Sequence, residues 1–158
     1  MQQLTAQQTG ARHGWSRLVR AHAAIARAVD TRLSAEHDLT INEYSCLLLL
    51  ERAEDRRMRR VDIAAEMVLS PSGITRMLDR LESAGLVEKA KCSTDARVTY
   101  AVITDAGRRR LREAGHAHDA VVEELVGGRL PKRDLKKLAD LLERLGAEGD
   151  EPCSVEDD

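Results

Sequence analysis

Five side chains in the stretch SPSGITRMLDR combine short hydroxyls with guanidinium groups: Ser70, Ser72, Thr75, Arg76 and Arg80. Ser72, Thr75, Arg76 and Arg80 fall on one face if the stretch is helical, with Ser70 at its start. Small hydroxyl residues let a backbone come close to phosphate oxygens, and a helix N-terminus offers them free N–H groups. An arginine fork one or two turns further on matches paired acceptors such as guanine O6 and N7. This is the chemistry of recognising a polyanion and reading its surface; no bond is made or broken. A second pair, Asp95 and Arg97, lies two residues apart in KCSTDARVTY. There the arginine can enter a narrow, negatively charged minor groove, while the aspartate accepts hydrogen bonds that hold the fork in one orientation.

The elements that must position these groups can be read from caps and periodicity. Ser70 is a good N-cap and Pro71 a good first helical residue, where the missing N–H would lack a partner anyway. Ile74, Leu78 and Leu81 form the inward stripe of this helix, and Gly85 ends it at a position that tolerates positive φ. Just before it, RVDIAAEM reads as a short helix with Ile63, Ala64 and Met67 inward. The two make a helix-turn-helix. Leu86–Lys91 and Val98–Thr104 then read as a hairpin, a wing whose tip carries Asp95 and Arg97. The expected fold class is mainly α with a small β-hairpin wing: a winged helix-turn-helix plus long N- and C-terminal dimerisation helices.

Longer helices flank this module. Leu18, His22, Ile25, Val29 and Leu33 step by three and four, giving one helix over roughly residues 11–36. Thr40 and Glu43 form a capping-box pattern ahead of a second helix, Asn42 to Ala53, and the charged EDRRMRR is a connector with room for a short strand. Thr104 caps a helix with Leu111, Ala114, His118, Val121 and Leu125 on one stripe; Leu135, Leu138, Leu142 and Leu145 mark a last helix from Lys132 to Leu145. One small winged domain cannot bury all these stripes, so a second copy is expected to cover them. The organisation expected is 1–36 N-terminal dimerisation helix, 37–104 DNA-binding lobe, 105–146 C-terminal dimerisation helices and 147–158 an acidic, disordered tail.

Charge is distributed to match. The net charge is −2, yet residues 56–110 hold twelve Lys/Arg against seven Asp/Glu, while the last thirteen residues carry six acids and no base. A basic centre suits a polyanion, and the acidic flanks do not. The three cysteines form no CxxC pair, so neither a disulfide framework nor a zinc ribbon is expected and a cytoplasmic location is the default. Cys46 sits in an apolar run and reads as core, whereas Cys92 has Lys89 and Lys91 nearby. The longest apolar run is five residues, far short of a membrane span.

The run VDIAAEMVLSPSGITRMLDRLESAGLVEKAKCSTDARVTYAVITDAGRRRL closely resembles the MarR (multiple antibiotic resistance regulator) family of bacterial transcription factors. SGITRMLDRLESAGLV, the D-A-R of the wing and ITDAG carry the resemblance. It implies a homodimer with intertwined terminal helices that binds double-stranded DNA at a pseudo-palindromic operator, most often as a repressor. Its two recognition helices would enter successive major grooves about 34–36 Å apart. The resemblance also implies release by a small aromatic or phenolic ligand held between the dimerisation helices and the DNA-binding lobe. Trp15, His22 and Tyr44 are the candidates for lining that pocket, since an aromatic acid wants rings and a donor. Two branches fit less well. Hydroperoxide sensors carry a reactive cysteine in the first helix, which has none here, and His116 and His118 sit about 200° apart around their helix, poorly placed to share a metal.

No HExxH, GxSxG, phosphate-cradling glycine loop or CxxC is present, so neither an enzyme nor a cofactor is expected. The remaining alternative is a dimeric helical interaction module without sequence-specific DNA binding. The acidic termini would suit it; the basic face of Arg76, Arg80 and Arg97 argues against it.

Overall fold

A computed structural model describes residues 6–67, 69–91 and 98–146. Helix α1 (Ala6–His37) begins about five residues before the apolar stripe predicts, because its first turns are built from Ala, Gln and other residues that tolerate a helix without marking a buried face. Helix α2 (Ile41–Arg52) starts at a complete capping box. Glu43 N–H donates to Thr40 Oγ1 at 3.2 Å, and Thr40 N–H donates back to Glu43 Oε2 at 2.7 Å. A 3₁₀ turn at Glu54–Arg56, with Asp55 and Arg56 both at φ 53°, swings the chain into strand β1 (Arg57–Arg59). Helix α3 (Arg60–Met67) and helix α4 (Pro71–Ser83) follow, then strands β2 (Val87–Lys91) and β3 (Thr99–Ile103). Helix α5 (Asp105–Leu125), a second 3₁₀ turn at Gly127–Arg129 and helix α6 (Lys132–Gly146) complete the order.

The strands form one antiparallel sheet in the order β1-β3-β2, with Arg57 opposite Val102, Val87 opposite Ile103 and Lys91 opposite Thr99. The charged connector thus supplies a third strand to the hairpin. The fold is mainly helical with this small sheet as its only β element among the described residues.

The chain divides into two compact units, the first ending at Val121 and the second starting at Val122. In the first unit, Val29 and Leu33 of α1, Leu47 and Leu50 of α2, Ile63 of α3 and Ile74 and Leu81 of α4 are all buried, each worth about 1.5–3 kcal/mol relative to exposure. Of the three apolar residues expected inward on α3, Ile63 is fully buried and Ala64 and Met67 are partly so. Cys46 is fully buried, and burial, with the Glu43 carboxylate nearby, pushes its thiol pKa up to about 12. Burial thins out toward the start of α1, where Trp15 is 68 % exposed and Val19 also faces solvent. In the second unit, α6 has no buried residue, and Leu141, Leu142 and Leu145 are exposed.

The ITDAG segment joins the end of α4 to α5 by close backbone contact. Thr104 N–H donates to Leu86 O at 3.1 Å, and Thr104 Oγ1 donates to Gly85 O at 2.7 Å. The same hydroxyl accepts from Gly107 N–H at 3.0 Å, capping α5. Gly107 packs flat on this turn: a Cβ there would overlap the Leu86 carbonyl oxygen and lie 2.8 Å from Ile103 Cγ1. Gly85 has φ 69°, the left-handed conformation that closes α4. Among the described residues, no helix is long and apolar enough to cross a membrane.

Candidate nucleic-acid interface

The outer face of α4 begins at Ser70, whose Oγ accepts from Gly73 N–H at 3.2 Å and lies 3.2 Å from Ser72 Oγ. Ile74, Met77, Leu78 and Leu81 bury the opposite face, so the rotation of the helix is fixed by packing. Thr75 Oγ1 donates to Pro71 O at 2.9 Å and accepts from Arg60 Nη2 of α3 at 3.0 Å, tying the two helices of the motif together. Arg76 is exposed and, among the described residues, its guanidinium has no hydrogen-bond or ion-pair partner. It stands ready to donate outward.

Arg80 is arranged differently. Its Nε lies 2.9 Å from Glu43 Oε1, and its Nη2 lies 3.1 Å from Asp38 Oδ1 and 3.4 Å from Asp38 O. Glu43 is 3 % exposed. One carboxylate oxygen serves the capping box and the other faces Arg80, so the buried charge is fully met. Spacing along α4 placed Arg80 beside Arg76 on one polar face and gave no sign of partners some forty residues earlier. A signal was available at the other end: Glu43 falls on the same i, i+4, i+7 row as Leu47 and Leu50 and is therefore a carboxylate pointed inward, in need of a cation.

Cations around the wing are largely paired as well. Arg59 Nε and Nη2 donate to Asp62 Oδ2 and Oδ1 at 2.6 and 2.8 Å, a fork that lowers the Asp62 pKa and raises that of Arg59. Lys89 on β2 lies 2.5 Å from Glu82 Oε2 and 3.7 Å from Asp79 Oδ1 on α4; the bond to Glu82 chiefly raises its pKa. The Arg57 guanidinium sits 5.1 Å from the centre of the Tyr100 ring. An open concavity of about 300 Å³ at the base of the wing is lined by Arg59, Arg60, Val61, Val98 and Thr99. The predicted wing contacts, Asp95 and Arg97, lie outside the described residues, as do Cys92 and Cys153.

Of the three residues expected to line a ligand pocket, Tyr44 is buried while Trp15 and His22 are exposed on α1. Tyr44 stacks instead on His118 of α5, with ring centres 4.9 Å apart and planes at 17°. His118 Nδ1 is 2.8 Å from Asp119 Oδ1. Burial, and then Asp119, raise the Tyr44 hydroxyl pKa. The α5 periodicity marks His118 only as one more stripe residue, so its pairing with Tyr44 was not foreseen. Among the described residues no group of three or more His, Cys, Asp or Glu could hold a metal ion.

The sequence profile of the MarR family matches residues 39–99, from the end of the α1–α2 turn to the start of β3. The transcriptional regulator FarR of Neisseria gonorrhoeae, described as of helix-turn-helix type, is 31 % identical over 111 residues, covering 68 % of this chain and 72 % of its own. The chain belongs to the MarR family. As a MarR-family protein it is a DNA-binding transcriptional regulator and not an enzyme. The MarR-family regulator Sco3205 of Streptomyces coelicolor, solved in complex with DNA, superposes with a TM-score of 0.79 at 25 % identity, covering 92 % of this chain and 89 % of its own. CouR of Rhodococcus jostii RHA1, solved with p-coumaroyl-CoA bound, gives a TM-score of 0.69 at 30 % identity, covering 88 % and 92 %. Within this MarR fold, α3 and α4 are the helix-turn-helix and β2–β3 the wing.

Proposed function

We propose that the chain acts as a homodimeric repressor that binds a pseudo-palindromic operator in the cytoplasm and is released by a small aromatic ligand. The observation that carries the DNA-binding part is the state of Arg76. Among the described residues it is an unpaired guanidinium, on the outer face of a helix whose inner face is locked into the core and whose start carries Ser70, Ser72 and Thr75. Ser70, Ser72 and the first-turn N–H groups approach phosphates, Thr75 lies at the groove wall, and Arg76 donates to a base edge in the major groove. Arg97, oriented by Asp95, reaches the neighbouring minor groove from the wing. In this reading residues 37–104 form the DNA-binding lobe, residues 1–36 and 105–146 form the dimerisation helices, and 147–158 is an acidic tail.

Exposed apolar side chains on α1 and α6, Trp15, Val19, Leu141, Leu142 and Leu145, support a dimer in which a second copy covers them. The p-coumaroyl-CoA bound by CouR supports an aromatic ligand class. Tyr44, backed by His118, offers such a ligand a hydroxyl and a ring, and Trp15 and His22 of α1 are the further candidates of this reading. Binding there would bias the spacing of the two lobes, a coupling between two sites.

Fluorescence anisotropy on DNA from upstream of the gene, titrated at several salt concentrations beside a scrambled duplex, tests the proposal. Preferential binding that saturates at one dimer per site with a steep salt slope is the expected result. Addition of aromatic acids or their thioesters is then expected to release the duplex. Equal, weak binding to every fragment in a genome-wide selection would overturn the regulator reading in favour of an interaction module.

A further inference from the structure

The two outer arginines of α4 differ in what holds them, and the difference assigns Arg80 a task of its own. Its acceptors all belong to the α1–α2 junction. Glu43 opens α2, and Asp38 turns the chain between the helices with φ 51°, a left-handed conformation that Asp tolerates better than most residues. Other elements stitch the same junction. Asp30 of α1 accepts from Ile41 N–H at 2.8 Å, and Arg110 of α5 donates to the His37 carbonyl. The junction is thus where α1 and α5, the helices carrying the long apolar stripes, meet the recognition helix.

Magnitudes decide whether Arg80 can leave this place for a phosphate or a base. Asp38 is exposed, and its pairing with Arg80 is a surface ion pair of small value. Glu43 is not: its side chain is 4 % exposed, and among the described residues Arg80 is its only ion-pair partner. Withdrawing the guanidinium, itself half exposed, would leave Glu43 Oε1 buried without a cation while the capping box still holds Oε2, which costs more than one exposed phosphate contact returns. We infer that Arg80 is a positioning residue: it fixes the tilt of the recognition helix against the α1–α2 junction through Glu43, and it does not contact DNA. Operator specificity then depends on Glu43 and Arg80 as a pair, although Glu43 lies in a different helix from the residues that read the groove. The inference rests on the DNA-binding reading above.

The test uses the dimer of the 158-residue chain and an operator duplex recovered by selecting genomic fragments on the wild-type protein, with a scrambled duplex beside it. Arg80→Gln, Arg80→Lys, Glu43→Gln and the Glu43→Gln/Arg80→Gln double variant are compared by anisotropy across a salt series, well below the melting temperature each shows by circular dichroism. Arg80→Gln is expected to lower operator affinity by about tenfold or more while the slope of log K against log salt stays that of the wild type. Glu43→Gln is expected to act in the same direction, with the double variant no worse than Arg80→Gln alone. Arg80→Lys keeps the charge but cannot serve Glu43 and Asp38 together, and should fall between; it carries the test if Arg80→Gln does not fold.

A slope shallower by about one per protomer in Arg80→Gln would mean a lost phosphate contact and would overturn the inference. So would an operator affinity indifferent to Glu43→Gln. A lowered melting temperature with an unchanged ratio of operator to scrambled binding would reduce the pair to a purely structural role, and would overturn it too. Failure of the wild type to select any fragment would instead remove the DNA-binding reading itself, and the inference with it.

Discussion

The two ends of the recognition helix are built on opposite plans. At its start, Ser70, Ser72 and Thr75 satisfy one another and the first-turn backbone, and Arg76 is left with a free fork. At its end everything is bolted down: Arg80 to Glu43, Lys89 to Glu82, Leu86 O to Thr104 N–H, with Gly107 pressed against the turn. A helix that must present a few groups to a rigid groove needs both. On the proposed reading the free end supplies donors, and the fixed end removes the rotational and tilting freedom that would otherwise be lost on binding.

The contrast can be broken most severely at the fixed end. Gly107→Ala forces a methyl into the Leu86 carbonyl, and the backbone has nowhere cheap to go. Destabilisation of about 2–4 kcal/mol is expected, read as a fall in denaturant midpoint with the m-value unchanged. Arg76→Ala attacks the free end. It should cost about 1–3 kcal/mol of operator affinity and leave the melting temperature where it was, since the side chain has no partner among the described residues. A large stability loss there would show that the free end is not free. Ser70→Ala removes the cap and should cost about 1 kcal/mol of stability, with part of the effect recovered in Ser70→Asp. The mildest expectation concerns a residue that belongs to neither end. Cys46, its pKa lifted to about 12 by burial, stays a neutral thiol at physiological pH. Iodoacetamide should leave the Cys46 peptide unmodified in the native protein and label it after unfolding, as mass spectrometry of digests would show.

Local signals in the sequence were sufficient wherever neighbours three or four residues apart decide the outcome. The Ser70–Pro71 start, the Thr40–Glu43 box, the Gly85 stop and the inward row Ile74, Leu78 and Leu81 are of this kind, and the structure has them all. Glu43 and Arg80 are 37 residues apart in sequence, and Tyr44 and His118 are 74 apart. Nothing in either local pattern ties one to the other; tertiary packing brings them together. The third strand was half legible, since the connector alternates too weakly to fix its register, which pairing with β3 supplies. The early start of α1 left no apolar mark at all.

The closure at Thr104 has a consequence for how such a regulator can change. Because Thr104 N–H bonds to Leu86 O, the chain leaves the helical body at residue 86 and returns to the same point before α5 begins. The wing is therefore an excursion with a closed neck. Residues can be inserted, deleted or exchanged at its tip without altering the angle between α4 and α5, much as a loop on a clasp can be lengthened without moving the clasp. If the wing meets DNA as proposed, the reach of the protein along the duplex is a variable separate from its stability, open to tinkering by evolution and to a fluorophore or a grafted peptide in the laboratory.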